Sequence, residues 1–164
     1  MTDRSALIQQ LSQQLAQEGT FLRQFHDVLL EEHSILSTRE LDKLEDVVKH
    51  KQSILDEIQQ AVNERMQTLQ QLGMDNNEGS EVRRCIDECT GIIPEIGDSW
   101  THLQSLLDEC KEQNIINGAI IEISSESLKV ALSILSDRTA NTQLYDAKGK
   151  TRHGDGSGSS LAKA

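Results

Sequence analysis

The first 72 residues carry two apolar seams in which apolar positions alternate in steps of three and four. This spacing places side chains on one stripe of a long α-helix, so it predicts two helices joined near Ser37. The first seam consists of Ile8, Leu11, Leu15, Glu18, Leu22, Phe25, Leu29, Glu32 and Leu36. The second seam consists of Leu41, Leu44, Val48, Lys51, Leu55, Ile58, Val62, Arg65, Leu69 and Leu72. Because the connection is short, we expect an antiparallel hairpin over residues 5–72.

Local residues predict where the helices of this hairpin begin and end. The run Ser37-Thr38-Arg39-Glu40 matches a capping box, in which Ser37 bonds the amide three residues on and Glu40 reaches back. The second helix is therefore predicted to start there. Gly73 is suited to the left-handed conformation that ends many helices, so the same helix is predicted to end at Leu72.

A third apolar series begins at Val82 and predicts helices from about 80 to 136. One unbroken helix from Val82 to Leu135 would be about 80 Å long, longer than the hairpin, so we expect a break. The segment 91–97 holds the only proline, and Asn117-Gly118 suits a turn, so both are candidates for that break. The series consists of Val82, Cys85, Ile86, Cys89, Ile93, Ile96, Trp100, Leu103, Leu106 and Cys110.

The segment 115–135 is apolar over an arc of roughly 220° of the helix circumference, wider than one packed face requires. One edge, the Ile116 stripe, consists of Ile116, Ile123, Val130 and Ile134. The other edge, the Ile121 stripe, consists of Ile121, Leu128, Leu132 and Leu135, and small residues lie between the two. Such a helix needs two apolar neighbours. It is either an inner helix flanked by two others, or a helix that keeps one stripe for another protein.

The periodicity stops at Asp137, and the following residues become rich in Gly and Ser. We therefore expect a helical bundle over residues 1–136 and a flexible tail over 137–164. Tyr145 is the only tyrosine of the chain and lies in a polar setting within 144–151. An aromatic anchor in a flexible polar segment is typical of a short docking motif, although Tyr145 could also fold back onto the bundle.

Composition and charge narrow the fold class and the partners. The 164 residues include four aromatic side chains and carry a net charge of −11. Abundant Leu, Gln, Glu and Ala indicate an all-α chain, here an elongated antiparallel bundle of three to four long helices. The acidic balance argues against nucleic acid and against an anionic membrane surface. Without a signal-like N-terminus or a membrane-spanning apolar run, we expect a soluble cytoplasmic protein with no membrane insertion.

Patterns typical of enzymes and metal sites are missing from the sequence. No histidine follows a glutamate by three residues, as a di-iron bundle requires, and zincin, phosphate-loop and nucleophile-elbow motifs are absent. Cys85 and Cys89 share a helix face, but no histidine lies at a matching offset, so we interpret them as core residues. His102 in Thr101-His102-Leu103-Gln104-Ser105 weakly resembles a histidine phosphotransfer site, without its lysine and glycine. We expect no enzyme, no cofactor and no metal.

Two groups of residues stand out in the C-terminal half: Asn114, Asn117-Gly118, Ile121, Leu128, Ala131, Leu132 and Leu135, then Leu144-Tyr145-x-x-x-Gly149-x-Thr151. Together they resemble the C-terminal signature of FlgN-type flagellar export chaperones. The N-terminal hairpin, with Glu31, Leu36, Leu44, Lys51 and Leu55, fits the family more loosely. The resemblance implies a non-enzymatic, ATP-independent chaperone for hook-filament junction proteins that delivers them to the flagellar type III export apparatus.

Two groups of site residues follow from this resemblance. Client-binding residues are expected at Asn117, Ile121, Ser124, Leu128, Ala131, Leu132 and Leu135, with the Ile116 stripe facing the hairpin. Residues that dock at the export gate are expected at Leu144, Tyr145 and Gly149. The alternative is a helical scaffold or coiled-coil oligomerisation module without an export role, and a homo-oligomer of the client-free chain is compatible with either interpretation.

Overall fold

The computed structural model describes residues 3–74 and 78–150, with side chains as far as Ile134. These residues form four α-helices and one short 3₁₀ helix, with no strand in the described ranges. The α-helices are α1 (Arg4–Thr38), α2 (Leu44–Gln71), α3 (Gly79–Thr90) and α4 (Glu95–Lys150), and the 3₁₀ helix spans Leu41–Lys43. The helices pack as a bundle, so the predicted all-α class is confirmed.

Two compact units divide the chain, Met1–Ile121 and Glu122–Ala164. The first unit contains α1, α2, α3 and the N-terminal part of α4, and it holds the buried core. Within the second unit, the structure describes side chains from Glu122 to Ile134, all on α4. The bundle boundary predicted at residue 136 stays a prediction, as does the tail over 137–164, because no described side chain lies beyond Ile134.

The apolar seam predicted for α1 is correct. Its members from Ile8 to Glu32 are all buried, and only Leu36, near the C-terminal end of the helix, is half-buried. The Asp3 carboxylate caps the helix by accepting from the amide of Ser5 at 3.2 Å. At the other end Arg39 adopts the left-handed conformation, with φ of 58°, and the amide of Glu40 donates to the carbonyl of Ile35.

The capping box predicted at Ser37 is not present. Ser37 and Thr38 belong to the last turn of α1, and the chain passes through the 3₁₀ helix before α2 begins at Leu44. The Thr38 hydroxyl donates to the Ser34 carbonyl and to the Glu40 carboxylate, so these residues end one helix instead of starting the next. The prediction at the far end of α2 is correct, because Gly73 has a φ of +105° and the Met74 amide donates to the Leu69 carbonyl.

The seam predicted for α2 is correct at most of its positions. Buried or half-buried as predicted are Leu44, Lys51, Ile58, Val62, Arg65, Leu69 and Leu72. The predicted Leu41, Val48 and Leu55 are exposed. At the last two positions the buried residue is the preceding one, Val47 or Ile54. Val47-Val48 and Ile54-Leu55 offer an apolar side chain on either side, so the pattern did not distinguish the two choices.

The helix break lies at the proline and not at Asn117-Gly118. Helix α3 ends at Thr90 with Gly91 as its C-cap, and α4 begins at Glu95, directly after Pro94. Proline is favoured where a helix starts, because backbone N–H groups in the first turn have no partner within the helix, so the N–H that proline lacks is not missed. Gly97 is needed for close packing at this break, since a Cβ at that position would lie 2.8 Å from Cγ2 of Thr90.

Hydrogen bonds give the direction of the helices in the first unit. Arg65 of α2 pairs with Glu18 of α1, and Lys51 pairs with Glu32, so α1 and α2 are antiparallel. The Cys110 thiol of α4 lies 3.5 Å from the Leu22 carbonyl, and Asn117 donates to the Leu29 carbonyl, so this part of α4 is parallel to α1. The antiparallel arrangement predicted for the bundle is thus confirmed.

Candidate functional site

The described part of α4 beyond Asn117 carries many exposed apolar side chains. Ile121 is 48% exposed, Leu128 61% and Leu132 54%. Ile116, Ile123, Val130 and Ile134, the four members of the Ile116 stripe, are exposed as well. Ile116 is the member of its stripe that lies in the first unit, and at 41% exposure it is not covered by the hairpin. The interpretation of this segment as an inner helix between two others stays a prediction.

The helical geometry places Ile121, Leu128 and Leu132 on one face. Steps of seven and four residues return to nearly the same angle, so these three side chains lie within about 40° of one another. Ser124 and Ala131, two of the predicted client-binding residues, are exposed beside them. Leu135 completes the Ile121 stripe in the sequence, but its side chain is outside the described residues.

Small residues separate the two stripes of α4. The Ile116 stripe and the Ile121 stripe lie roughly 140° apart, and Ser124, Ser127 and Ala131 fall in the sector between them. All three are exposed. Short side chains beside the Ile121 stripe would let another helix approach it closely.

Asn117 differs from the other predicted client-binding residues. Its side chain is 1% exposed and lies in the core of the first unit. Its Nδ2 donates to the Leu29 carbonyl and to Oε2 of Glu32, both at 2.8 Å, while its Oδ1 accepts from Nε2 of Gln113 at 3.0 Å. The polar atoms of Asn117 are thus used inside the bundle, and its predicted contact with a client stays a prediction.

Asn117 belongs to a group of polar side chains that joins three helices, which we call the Asn117 cluster: Glu32, Lys51, Asn114 and Asn117. Glu32 is 4% exposed and accepts from Nζ of Lys51 at 2.9 Å. Lys51 also donates to Oδ1 of Asn114 at 2.8 Å. The buried carboxylate is thereby compensated by an ammonium group and an amide, which is the condition under which a charge is tolerated in a core.

A second buried ion pair lies further along the hairpin. Arg65 donates to both carboxylate oxygens of Glu18, through Nε at 2.7 Å and Nη2 at 3.3 Å. The guanidinium also stacks on Trp100 of α4, with 5.2 Å between its carbon and the ring centroid. Each acidic seam residue of α1 is therefore paired with a basic seam residue of α2.

The pairing of these charges could have been derived from the sequence. Glu18 and Arg65 are equally distant in sequence from the turn near Leu41, and so are Glu32 and Lys51. In an antiparallel hairpin such positions face each other, and both predicted seams place an acidic residue opposite a basic one. The hydrogen bonds from α4 to this hairpin had no comparable signal, because the register of α4 was unknown.

The cysteines are core residues, as predicted. All three are buried, and burial raises the pKa of the Cys89 thiol and raises that of Cys110 to about 11. Among the described residues no group of three or more potential metal ligands is found. His102 is exposed, and its Nε2 accepts from Nη2 of Arg23 at 3.3 Å.

The residues predicted to dock at the export gate are not tested by the structure. The side chains of Leu144 and Tyr145, like the position of Gly149, fall outside the described side chains. No described helix has the length and apolar content that crossing a membrane would require.

Comparisons with known proteins place the chain in a family. No curated protein and no solved structure matches it. The family described as FlgN protein matches residues 1–153, which covers the bundle, α4 and the predicted docking segment. FlgN proteins are chaperones of the flagellar export system and not an enzyme family. The chain therefore belongs to the FlgN family, whose general role is that of a flagellar export chaperone.

Proposed function

We propose that this chain binds the helical ends of flagellar hook-filament junction proteins in the cytoplasm and delivers them to the flagellar type III export apparatus. The observation that supports this proposal is the exposure of Ile121, Leu128 and Leu132 on one face of α4. Large apolar patches on a protein surface are typical of interaction sites. The partner is an amphipathic helix, which lays its apolar face on this stripe.

The chemistry of the clients explains why such a cover is needed. Junction subunits have helical ends that associate in the assembled filament, and these ends would associate too early if their apolar faces stayed open. A helix that covers them must itself expose an apolar face before binding. The Ile121 stripe meets this requirement, and Ser124 and Ala131 let the client helix approach closely.

The test is co-purification of the chain with the C-terminal helices of junction proteins, with complex mass measured by light scattering. Leu128→Asp/Leu132→Asp places two charges in the proposed contact and should abolish a one-to-one complex. Because both residues are exposed, circular dichroism should show unchanged helix content. The matched control is Ile123→Asp/Val130→Asp, which adds the same charges on the Ile116 stripe of the same helix and should leave client binding intact.

Two results would contradict this assignment. Retained binding by Leu128→Asp/Leu132→Asp would show that the Ile121 stripe is not the client surface. Equal loss of binding in both double variants would show that the client does not distinguish the two stripes, so that the whole arc, and not one face, forms the contact.

A scaffold or oligomerisation module is the second candidate function. Its supporting observation is the same exposed arc, which a second copy could cover in place of a client. The seams of α1 and α2 offer it no further surface, because Arg65 and Lys51 are paired with Glu18 and Glu32 within the chain. An oligomer of the chain that does not bind the junction-protein helices would support this function and contradict the chaperone proposal.

The export-gate role is proposed for Leu144, Tyr145 and Gly149. It is supported by the match of the family through residue 153, which includes this segment. Deleting residues 144–151 should preserve the client complex and lower secretion of the junction proteins. An equal loss of client binding would show that docking and client binding are not separable.

A further inference from the structure

The Asn117 cluster lowers the stability of the fold relative to apolar residues packed at the same positions. Removing a carboxylate and an ammonium group from water carries a desolvation penalty that the ion pair often fails to recover, and apolar replacements of buried pairs are frequently as stable or more stable. Glu32 and Asn117 are 4% and 1% exposed, so the penalty applies here. The cluster therefore calls for a role other than stability.

The apolar pattern of α4 defines the buried face of the helix but not its register on the hairpin. The buried residues of α4 that follow one another at intervals of seven are Ile96, Leu103, Cys110 and Asn117. A slip of seven residues would therefore keep the same face buried and put apolar side chains at most of these positions. Shape and hydrophobicity alone would then permit several packings on the hairpin.

Hydrogen bonds of the Asn117 cluster distinguish between these packings. Asn117 Nδ2 reaches Glu32 and the Leu29 carbonyl of α1, while Asn114, one turn earlier, accepts from Lys51 of α2. Both contacts hold only in one rotation and one register of α4. In any other, the cluster loses partners, and each buried polar group left unsatisfied costs about 1–3 kcal/mol.

We propose that Glu32, Lys51, Asn114 and Asn117 are positioning residues that fix the register and rotation of α4 on the hairpin. A single buried asparagine is known to select one register in helical assemblies at some cost in stability. In this register Asn117 is the last buried residue on α4 in the described part of the chain, and Ile116 and Ile121 stay exposed. That the fixed register sets the client surface rests on the proposed function.

The test replaces the cluster by apolar residues and measures the register directly. In the variant Glu32→Leu/Lys51→Leu/Asn117→Leu, spin labels are attached at Gln13→Cys and Glu112→Cys, two exposed positions on α1 and α4. The native thiols are buried and take up little label under native conditions, which the unsubstituted chain verifies. The distribution of distances between the two spin labels should have one narrow peak in the wild-type protein. The variant should remain helical and show several peaks, since a slip of seven residues moves α4 by about 10 Å.

The second ion pair supplies the matched control. Glu18→Leu/Arg65→Met also removes a buried pair between α1 and α2, but among the described residues that pair contacts α4 through the stacking of Arg65 on Trp100 and donates no hydrogen bond to it. This variant should keep the single wild-type distance. Multiple distances here as well would show that any loss of buried charge loosens α4, which would overturn the specific role of the Asn117 cluster.

A single unchanged distance in the apolar triple variant would overturn the proposal outright. Should the triple variant fail to fold, Asn117→Leu alone removes the donor to α1 and leaves the Glu32–Lys51 pair, and the same criterion applies to it. Client affinity is measured in parallel and should fall at least tenfold. Multiple distances with unchanged affinity would confirm the register role and contradict its link to the client surface.

Discussion

Glu18 and Glu32 illustrate how single residues determine the packing of this bundle. Both occupy apolar seam positions of α1 and are almost fully buried, at 3% and 4% exposure. Each is tolerated because a cation on α2 lies opposite, and removing that cation alone would leave an uncompensated buried carboxylate, at a cost of about 3–5 kcal/mol. The pairs thus define how α1 and α2 align.

Cys110 gives a prediction about pH at the same scale. Burial raises its pKa to about 11, whereas an unfolded thiol titrates near 8.5. The unfolded chain therefore releases its proton first as pH rises, so the contribution of Cys110 to stability is complete below about pH 8.5 and is lost as pH approaches 11. Urea unfolding under reducing conditions should show wild type losing stability relative to Cys110→Ala between about pH 8 and pH 11.

The Cys110→Ala comparison removes the effect of other groups that titrate in this range, since lysines and tyrosine are common to both proteins. A stability difference that stays constant across the pH range would show that the Cys110 thiol titrates alike in both states. Alkylation followed by mass spectrometry gives an independent check, because the native thiol should react only after unfolding.

At the scale of helices, the sequence correctly predicted which residues are buried wherever polar and apolar residues alternate regularly. The seam of α1 and the core series from Val82 to Cys110 belong to this class, and their members are buried or half-buried as predicted. On α2, adjacent apolar pairs such as Val47-Val48 left the face ambiguous by one residue. The burial of Asn117 was not predicted, because a polar residue is expected at the surface until its hydrogen-bond partners on another helix are known.

The break between α3 and α4 also depends on contacts between helices that the sequence does not show. Pro94 and Asn117-Gly118 were equal candidates from the sequence, and only the packing distinguishes them. At the proline, Gly97 lies against Thr90 of α3, whereas a Cβ on Gly118 would meet no atom within 4 Å. The described contacts therefore require a glycine at position 97 but leave room for a larger residue at position 118.

These two glycines predict opposite effects of alanine. Gly97→Ala should lower the free energy of unfolding by about 1–3 kcal/mol, because the new methyl group overlaps with Thr90. Gly118→Ala should raise it by roughly 0.5–1 kcal/mol, since alanine is the better helix former. Denaturant unfolding followed by circular dichroism measures both. Thr90→Ala should restore stability in the Gly97→Ala background, and a failure to do so would place the strain elsewhere.

On the scale of the whole molecule, two properties of the chain oppose each other. The net charge of −11 repels other copies, while the apolar residues exposed on α4 attract any apolar helix, including a second copy. A chaperone benefits from this balance, because the free chain stays available while a client without the same charge can bind. The balance depends on ionic strength, since salt screens charge repulsion and leaves apolar attraction largely unchanged.

Self-association of the client-free chain should therefore increase with salt. The Debye length falls from about 30 Å at 0.01 M to about 3 Å at 1 M, so repulsion between copies is largely removed at the higher concentration. Light scattering at one protein concentration should show a larger average mass at about 1 M salt than at about 0.01 M. Leu128→Asp/Leu132→Asp should remain at monomer mass under both conditions, because it interrupts the Ile121 stripe. If that variant associates as strongly as wild type, copies meet through another surface, and the Ile121 stripe is not the attractive part of the molecule.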